Sequence, residues 1–242
     1  MTAVALAELL RERQPCVVLT GAGVSTESGI PDFRSETGIW AEVDPFEVAS
    51  IHAFRRDPER VWSFYGERIH VLRDAEPNMA HGAIVELERR GLVQAVVTQN
   101  IDRLHTRAGS ADVVEVHGSI ASAQCLRCLW AEPVDAVLAQ LETRAVPACP
   151  RCEETLKPGV VLFGELLPAA ALERATHLSR CARLVLVVGS SLEVWPVAGL
   201  PLEAQGFAIV NRGPTALDEQ ALLKVDAGAG ETLAAVVDAL SL

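Results

Sequence analysis

The sequence lacks the features that would place it outside the ordinary globular proteins. It has no low-complexity tract, and half of its 242 residues are hydrophobic, which excludes an intrinsically disordered chain. Its apolar runs, such as Leu184–Val188, are far too short to span a bilayer. The first ten residues carry neither a basic segment nor a small-residue cleavage site, unlike a signal peptide. We therefore expect a soluble, cytoplasmic protein with no membrane partner.

Positive charge is also scarce. The chain has 21 Lys and Arg residues against 32 Asp and Glu residues, a formal net charge of −11 at pH 7. Because nucleic-acid binding needs clustered Lys and Arg to pair with phosphates, we expect no direct nucleic-acid partner. The acidic balance is compatible with basic, lysine-bearing peptides. A chain of this length forms one substantial core with a small satellite module, and we expect a monomer.

Short apolar segments alternate with helical ones along the chain. Continuous apolar strands are buried on both faces, as parallel sheets require. Such strands are predicted at Cys16–Thr20, 95–98, 113–116, Leu184–Val188 and Phe207–Val210. The alternation of strands and helices is typical of an α/β protein with a doubly wound parallel sheet.

Two stretches break this alternation. Residues 31–78 read as a loop followed by helices, the clearest over 55–73, and residues 124–156 contain paired cysteines without a good sheet pattern. Both look like insertions that together form a small second domain. Because open α/β sheets bind ligands in the crevice at the carboxyl ends of their strands, we expect the functional site between the two parts.

The cysteine spacing is the most specific signal. Cys125-x2-Cys128 and Cys149-x2-Cys152 are separated by twenty residues, a spacing in the zinc-ribbon range. Four thiolates supply a tetrahedral site with Zn–S distances near ~2.3 Å and leave no open coordination position. We therefore predict one structural zinc ion. Two disulfides are the alternative, which a cytoplasmic compartment disfavours.

A glycine-containing turn follows the first predicted strand. Glycines there let backbone N–H groups approach a phosphate at a helix N-terminus. The candidate residues are Gly21, Ala22, Gly23, Ser25 and Thr26. Thr26 stands where the full dinucleotide fingerprint has a third glycine, so a plain tight turn stays the alternative. Phe33 and Arg34 follow closely and are suited to covering a bound cofactor.

Other predicted strands also end in polar residues. Gln99, Asn100 and Asp102 follow one strand, His117 follows another, and Gly189-Ser190-Ser191 follows a third. The carboxyl ends of parallel strands share one edge of the sheet, so we expect these groups to converge on one crevice, as in a nucleotide site.

In these motifs the chain resembles the sirtuin family. The matching segments appear in the family's order over residues 21–211, and they are Gly21-Ala22-Gly23-x-Ser25, Gly29-Ile30-Pro31-Asp32-Phe33-Arg34, Gln99-Asn100-Ile101-Asp102, His117-Gly118, the two cysteine pairs, Phe163-Gly164-Glu165, Gly189-Ser190-Ser191-Leu192 and Asn211. The resemblance implies a Rossmann-like NAD-binding domain and a small domain made of a helical module and a zinc ribbon. We assign 1–30, 79–122 and 158–242 to the first and 31–78 and 123–157 to the second.

The resemblance also implies the reaction. A sirtuin consumes NAD as a co-substrate, and the acyl group of a protein lysine ends on ADP-ribose, giving free lysine, nicotinamide and O-acyl-ADP-ribose. His117 would be the general base on a ribose hydroxyl, a role that suits a side chain with a pKa near ~6.5. Ile101 and Asp102 would bind the nicotinamide carboxamide, and Asn100 would position the ribose or a water.

The same resemblance implies the remaining cofactor contacts. Phe33 would shield the reactive carbon, and Arg34 would contact phosphate or ribose. The adenosine half would be held by Ser190, Ser191 and Asn211, while the glycine turn, Gln99 and Gly189 complete the NAD site. Residues 227–230 read Ala-Gly-Ala-Gly, so any adenine contact there would come from the backbone.

An acyl-lysine peptide is the expected partner. In a protein that looks like this, the peptide adds as a strand between residues 160–165 and 192–194, where main-chain hydrogen bonds give affinity with little sequence selectivity. Val160, Phe163 and Gly164 are the contacts of this prediction. An ordinary core strand over 160–163 is the alternative.

The acyl preference depends on Tyr65 and Arg68. Three residues apart on a predicted helix, they share a face, and together they suit a carboxylate. Ala49 stands where succinyl- and malonyl-removing sirtuins have a small residue that widens the acyl pocket. Two residues depart from the pattern of that subgroup. Glu67 adds a carboxylate next to Arg68, and an Asp at position 32 is more typical of deacetylases. We predict desuccinylase activity with weaker or comparable deacetylase activity.

Other interpretations of these motifs stay open at this point. A deacetylase without acidic-acyl preference has the same motifs, and a mono-ADP-ribosyltransferase shares the cleavage of NAD. A hydride-transferring dehydrogenase shares the glycine turn, and a non-catalytic zinc-ribbon module shares the cysteines.

Overall fold

The structure is a computed structural model that describes residues 2–241. No helix in this part of the chain is both long and apolar enough to cross a membrane. The strands of these residues are β1 (Cys16–Thr20), β2 (Val93–Thr98), β3 (Val113–Glu115), β4 (Gly118–Cys125), β5 (Ala131–Pro133), β6 (Leu156–Val160), β7 (Leu184–Val188), β8 (Phe207–Val210) and β9 (Leu223–Val225).

Six of these strands form one parallel sheet in the order β3-β2-β1-β7-β8-β9. β1 lies inside it, and Leu19 pairs with Val97 of β2 on one side and Val187 of β7 on the other. Every residue of β1, β7 and β8 is buried, as expected for strands covered on both faces. The strand order runs outward from β1 in both directions, so the predicted doubly wound α/β sheet is confirmed.

Helices connect and cover the strands. They are α1 (Thr2–Glu12), α2 (Ile39–Glu42), α3 (Pro45–Val48), α4 (Ile51–Arg56), α5 (Pro58–Asp74), α6 (Met79–Arg89), α7 (Leu104–Ala108), α8 (Val134–Leu141), α9 (Ala169–Cys181) and α10 (Ala229–Ala239), with 3-10 helices at Ala22–Ser28, Val197–Glu203 and Asp218–Gln220.

Both faces of the parallel sheet carry an apolar layer. α1, α6 and α10 share one hydrophobic cluster that includes Leu6, Ile84 and Leu233. α9 and the 3-10 helix Val197–Glu203 belong to a second hydrophobic cluster, which covers the opposite face of the sheet and includes Val185 of β7. These layers leave the carboxyl ends of the strands as the open edge of the sheet, where ligands of this architecture bind.

A smaller module consists of α2 to α5, α8 and a three-stranded antiparallel sheet in the order β5-β4-β6. Its core joins α5 to the sheet, since the buried Trp62 donates from Nε1 to the Leu156 carbonyl at 2.7 Å. β4 continues across the predicted boundary between residues 122 and 123, and β6 continues across the one between residues 157 and 158. This sheet therefore crosses two of the predicted domain boundaries, and the division into domains stays a prediction.

Some local expectations need correction. The helix predicted over 55–73 is two helices, because Pro58 cannot continue the hydrogen bonding of α4 and Asp57 caps α5 by accepting from the Arg60 N–H at 3.1 Å. Residues 124–156 do contain a strand, β5. The edge strand β9 was not predicted, because three residues around a lysine form no apolar run.

Candidate active site and zinc centre

Four cysteine sulfurs come together at the tip of the small module. The Sγ atoms of Cys125, Cys128, Cys149 and Cys152 all lie within 4.8 Å of one another. The pairs Cys125–Cys152 and Cys128–Cys149 are each 3.5 Å apart. A disulfide would need about 2.05 Å, whereas a tetrahedron with Zn–S of about 2.3 Å gives sulfur separations of about 3.8 Å. The donor set therefore fits one fully coordinated zinc ion and excludes the disulfide alternative.

The two cysteine turns have matching backbones. Four residues after the first cysteine of each pair, Leu129 and Glu153 adopt positive φ values of 59° and 61°. Their N–H groups donate to the Cys125 and Cys149 carbonyls at 3.0 and 2.9 Å. In the first turn, the Cys128 N–H also points at Cys125 Sγ, 3.4 Å away. This repeated turn explains how two short spacings build one metal site.

The glycine turn after β1 lies directly against the turn after β7. Gly23 donates its N–H to the Gly189 carbonyl at 2.9 Å. A Cβ on Gly21 would lie 2.8 Å from the Gly189 oxygen and 2.9 Å from Ser190 Cβ, and Gly23 is equally crowded. The glycines are therefore required for the close approach of the two backbones, and the turn forms part of a crevice.

A cavity of about 540 Å³ opens beside this crevice, within the size range of ligand pockets. Its wall includes four predicted cofactor residues, Gly23, Thr26, Gly189 and Asn211. Residues 227–229 also line it, and an adenine contact from their backbone stays a prediction. Gly23 and Gly189, whose backbones are in direct contact, form part of its wall, and its volume suits a dinucleotide.

Two further cavity residues, Glu27 and Arg212, were not predicted. Glu27 accepts a hydrogen bond from the Gly230 N–H at 3.1 Å, which ties the start of α10 to the first 3-10 helix. Glu27 and Gly230 are 203 positions apart in the sequence, so no local sequence pattern predicts this contact.

Ser25, Asn100 and Asp102 form one buried hydrogen-bonded group. Ser25 Oγ donates to Asp102 Oδ2 at 2.7 Å, and Asn100 Nδ2 donates to Ser25 Oγ at 3.1 Å. The other oxygen of Asp102 accepts from the Leu104 N–H at 2.9 Å. Asn100 and Asp102 are only 7% and 5% exposed. The structure therefore brings together three predicted cofactor residues, with Ile101 between them in the chain.

His117 follows β3 at the edge of the same crevice. Its Nδ1 lies 3.0 Å from the Gln99 carbonyl oxygen, and Gln99 Nε2 donates to Ser190 Oγ at 2.9 Å. A carbonyl oxygen only accepts, so Nδ1 carries the proton and Nε2 is left as the basic nitrogen. Burial lowers the pKa of His117 below 6.5, opposed by the Gln99 contact. The ring is thereby kept in its neutral form at neutral pH.

Phe33 and Arg34 lie on the loop that covers the crevice. Phe33 stacks on Trp40 with ring centroids 5.1 Å apart. Arg34 Nε forms an exposed ion pair with Glu193 Oε2 at 3.2 Å, and Ser191 Oγ donates to the same carboxylate at 3.4 Å. The loop therefore reaches across to the segment after β7. Glu193 was not predicted as part of this contact.

Tyr65 and Arg68 lie on one side of α5, as the spacing predicted. Tyr65 is 6% exposed, and burial raises its pKa above the ordinary value. The Arg68 guanidinium faces the rings of Phe64 and Phe33, with Cζ 5.0 and 5.9 Å from their centroids. Burial lowers the Arg68 pKa, opposed by Tyr65. Glu67 is exposed and does not share this position.

The segment predicted to receive the peptide is the end of a strand followed by a tight turn. β6 ends at Val160, and residues 162–165 form a turn in which Glu165 donates its N–H to the Leu162 carbonyl at 3.0 Å. Gly164, at φ +86°, gives this turn a conformation that other residues rarely adopt. Phe163 pairs instead with the neighbouring segment, donating to the Ala49 carbonyl at 2.8 Å. The alternative, an ordinary core strand over 160–163, is therefore wrong beyond Val160, and the place of the peptide stays a prediction.

Two other histidines pack beneath the crevice. The rings of His81 and His105 are 4.7 Å apart and 0% and 1% exposed. His105 Nε2 lies 2.9 Å from Thr20 Oγ1, which donates to Thr98 Oγ1 at 2.8 Å. Thr98 Oγ1 in turn accepts from the Asn100 N–H at 3.1 Å. These buried histidines pack in the core, and His105 also supports the Asn100 backbone through the two threonines.

Fold and site first define a class of protein: a dinucleotide-binding α/β protein with a four-cysteine zinc module. The profile of the Sir2 family matches residues 21–196, and the chain belongs to this family. An NAD-dependent protein deacetylase of Thermotoga maritima is 45% identical over 221 residues, 90% of this chain and 89% of that protein. NAD-dependent protein deacylase 2 of Archaeoglobus fulgidus is 46% identical over 241 residues, 96% and 93%.

Solved structures support the same assignment. A Sir2 structure with a p53 peptide and NAD+ matches with a TM-score of 0.91 at 42% identity, covering 98% of each chain. Sir2Tm bound to a propionylated peptide matches with a TM-score of 0.90 at 42% identity, again over 98% of each chain. The expected Rossmann-like fold with a zinc-bearing module is therefore confirmed.

Proposed function

We propose that this Sir2-family chain, an NAD-dependent protein deacylase, removes succinyl and malonyl groups from protein lysines, with weaker or comparable activity on acetyl groups. The products are free lysine, nicotinamide and O-acyl-ADP-ribose. One observation carries the acyl preference. Arg68 is half-buried beside Tyr65 and the ring of Phe64, and no carboxylate of residues 2–241 pairs with it.

An acidic acyl group supplies the carboxylate that Arg68 lacks. Partial burial strengthens the attraction between a guanidinium and a carboxylate compared with a surface pair. The planar guanidinium binds two carboxylate oxygens at once, and the Tyr65 hydroxyl provides a further donor. A neutral acetyl group leaves the guanidinium without a partner. The difference favours succinyl and malonyl substrates.

The position of Arg68 relates the acyl pocket to the cofactor loop. Its guanidinium faces Phe33, the residue proposed to shield the reactive carbon of NAD. On the other side, the small buried residue Ala49 accepts from the Phe163 N–H. The acyl chain would therefore run from the peptide-facing turn toward Phe33, with its carboxylate at Arg68.

The chain's own residues supply the proton transfer. Bound NAD provides a ribose carbon from which nicotinamide departs. His117 accepts a proton from a ribose hydroxyl at Nε2, because its Nδ1 proton is held by the Gln99 carbonyl. Asp102, fixed by Ser25, and Ile101 bind the nicotinamide carboxamide. Asn100 orients the ribose or a water.

The remaining roles follow the crevice outward. The backbone of Gly21, Ala22 and Gly23, with Ser25 and Thr26, receives the phosphates, and Arg34 contacts phosphate or ribose once it leaves Glu193. Gly189, Ser190, Ser191 and Asn211 hold the adenosine half. The peptide main chain lies between the turn at Gly164 and residues 192–194, with Val160 and Phe163 beneath it.

The Arg68→Met variant tests the acyl preference on matched acetyl and succinyl peptides. Loss of the paired charge should cost about 2–4 kcal/mol in succinyl turnover, roughly thirty- to a thousandfold in kcat/KM. Acetyl turnover should change little. Arg60→Met is the matched control, since Arg60 lies on the same helix but pairs with Glu47 at the surface.

Two outcomes would favour other functions. Equal loss on both peptides would support a deacetylase without acidic-acyl preference, a candidate favoured by the propionylated peptide bound to the related Sir2Tm. Incorporation of labelled ADP-ribose into protein, without deacylated peptide, would favour a mono-ADP-ribosyltransferase.

A further inference from the structure

Lys157 is a buried lysine outside the cofactor crevice and the zinc centre. It lies in β6 and is only 4% exposed. Its Nζ donates to the carbonyl oxygens of Pro158 at 2.9 Å and Val160 at 2.6 Å, and it forms an ion pair with Glu165 Oε2 at 3.0 Å. All three ammonium protons therefore have a partner. Burial lowers its pKa, opposed by Glu165.

The partner carboxylate closes the turn that follows β6. Glu165 Oε2 also accepts from the Leu162 N–H at 2.8 Å, and the Glu165 N–H donates to the Leu162 carbonyl at 3.0 Å. Between these residues lies the exposed Gly164. One side chain from β6 thus fixes both the end of the strand and the shape of the turn.

The opposite side of the turn is already occupied. Phe163 donates to the Ala49 carbonyl at 2.8 Å and accepts from the Ile51 N–H at 3.0 Å. The turn is held between this contact and the Lys157–Glu165 pair, and Gly164 is its one exposed residue, with Phe163 and Glu165 partly buried. Its conformation therefore depends directly on the ion pair.

A buried ion pair adds little net stability, because both charges lose their hydration. It does fix the local geometry: when one partner is removed, the other charge is left buried and unpaired, and the turn must open to hydrate it. We propose that Lys157 and Glu165 are positioning residues that hold the 162–165 turn in the shape that receives the main chain of the acyl-lysine peptide. This inference rests on the proposed peptide site at Gly164.

A positioning role predicts a selective kinetic effect. Lys157→Met keeps an unbranched side chain one atom shorter but removes the charge, and it should raise the KM for the acyl peptide by about tenfold or more. The KM for NAD should stay within about twofold of wild type, because neither Lys157 nor Glu165 is among the residues that line the cofactor cavity.

The chain offers a matched control in Lys224, its other lysine. Lys224 pairs with Asp218 at 3.0 Å and donates to the Gly213 carbonyl, near the edge strand of the main sheet. Lys224→Met should lose a similar ion pair and leave the KM for the peptide unchanged. Thermal unfolding of both variants, measured in parallel, shows how much of any effect is loss of fold.

Glu165→Gln is the second variant, for the case that Lys157→Met does not fold. The amide oxygen can still accept from Leu162 and Lys157, so a smaller rise in peptide KM, about two- to fivefold, is expected. An unchanged peptide KM in both variants, or equal rises in the KM for peptide and NAD, would overturn the inference. A wild-type protein that deacylates no peptide would instead overturn the proposed function.

Discussion

Loss of one zinc ligand gives the prediction with the largest magnitude. Cys149 is 1% exposed and lies in the same hydrophobic cluster as Trp62, Tyr65 and Leu156. Zinc bound to small cysteine modules contributes about 10–16 kcal/mol at pH 7, against a typical domain stability of about 5–15 kcal/mol. Cys149→Ser should therefore cost at least about 4 kcal/mol in stability.

The packing shows where this loss should appear. The cluster that holds Cys149 also holds Tyr65, whereas the layers on the parallel sheet are separate clusters. We expect Cys149→Ser to lose zinc, to unfold at lower temperature and to lose peptide turnover. Metal content measured by mass spectrometry, together with thermal unfolding, checks this result.

Cys181→Ser is the control, because Cys181 is an exposed free cysteine outside the zinc cluster. It should keep one zinc ion per chain and wild-type stability. A Cys149→Ser protein that lost its zinc but kept full stability and activity would show that the metal contributes nothing to the small module, contrary to this prediction.

Three further predictions concern the crevice. Activity should fall as pH falls through the lowered pKa of His117, so the acid limb of a kcat/KM profile should lie below pH 6.5. Burial lowers the pKa of His81 to about 4 and of His105 to about 3. Below about pH 6.5 the unfolded chain therefore binds more protons at these two histidines than the folded chain does. The melting temperature, measured as a function of pH, should drop between pH 6.5 and 4. Gly21→Ala should raise the KM for NAD about tenfold or more, measured by nicotinamide release.

Much of the fold could be predicted because its strands and helices follow from local sequence patterns. Apolar runs such as Leu184–Val188 are strands in any buried parallel sheet, and the membership of the sirtuin family suggested by the motifs is confirmed by the Sir2 match. The zinc centre could be predicted for the same reason, since two short cysteine spacings define it. Tyr65 and Arg68 follow from helical spacing alone.

The rest depends on contacts between distant residues. Glu27 meets Gly230 across 203 positions, and Arg34 meets Glu193 only because two loops fold over the same crevice. The turn at Gly164 is closed by Glu165, which accepts from the Leu162 N–H and pairs with Lys157 of β6. No periodicity signals these pairs, and each became visible only with the backbone in place.

The most direct test of the proposed function is mass spectrometry of wild-type protein with NAD and a matched pair of succinyl and acetyl peptides. We expect deacylated succinyl peptide, nicotinamide and O-succinyl-ADP-ribose in equal amounts, with kcat/KM for the succinyl peptide at least equal to that for the acetyl peptide. Turnover of the acetyl peptide alone would contradict the acyl preference assigned to Arg68 and Tyr65. Absence of nicotinamide release with either peptide would contradict the deacylase function itself.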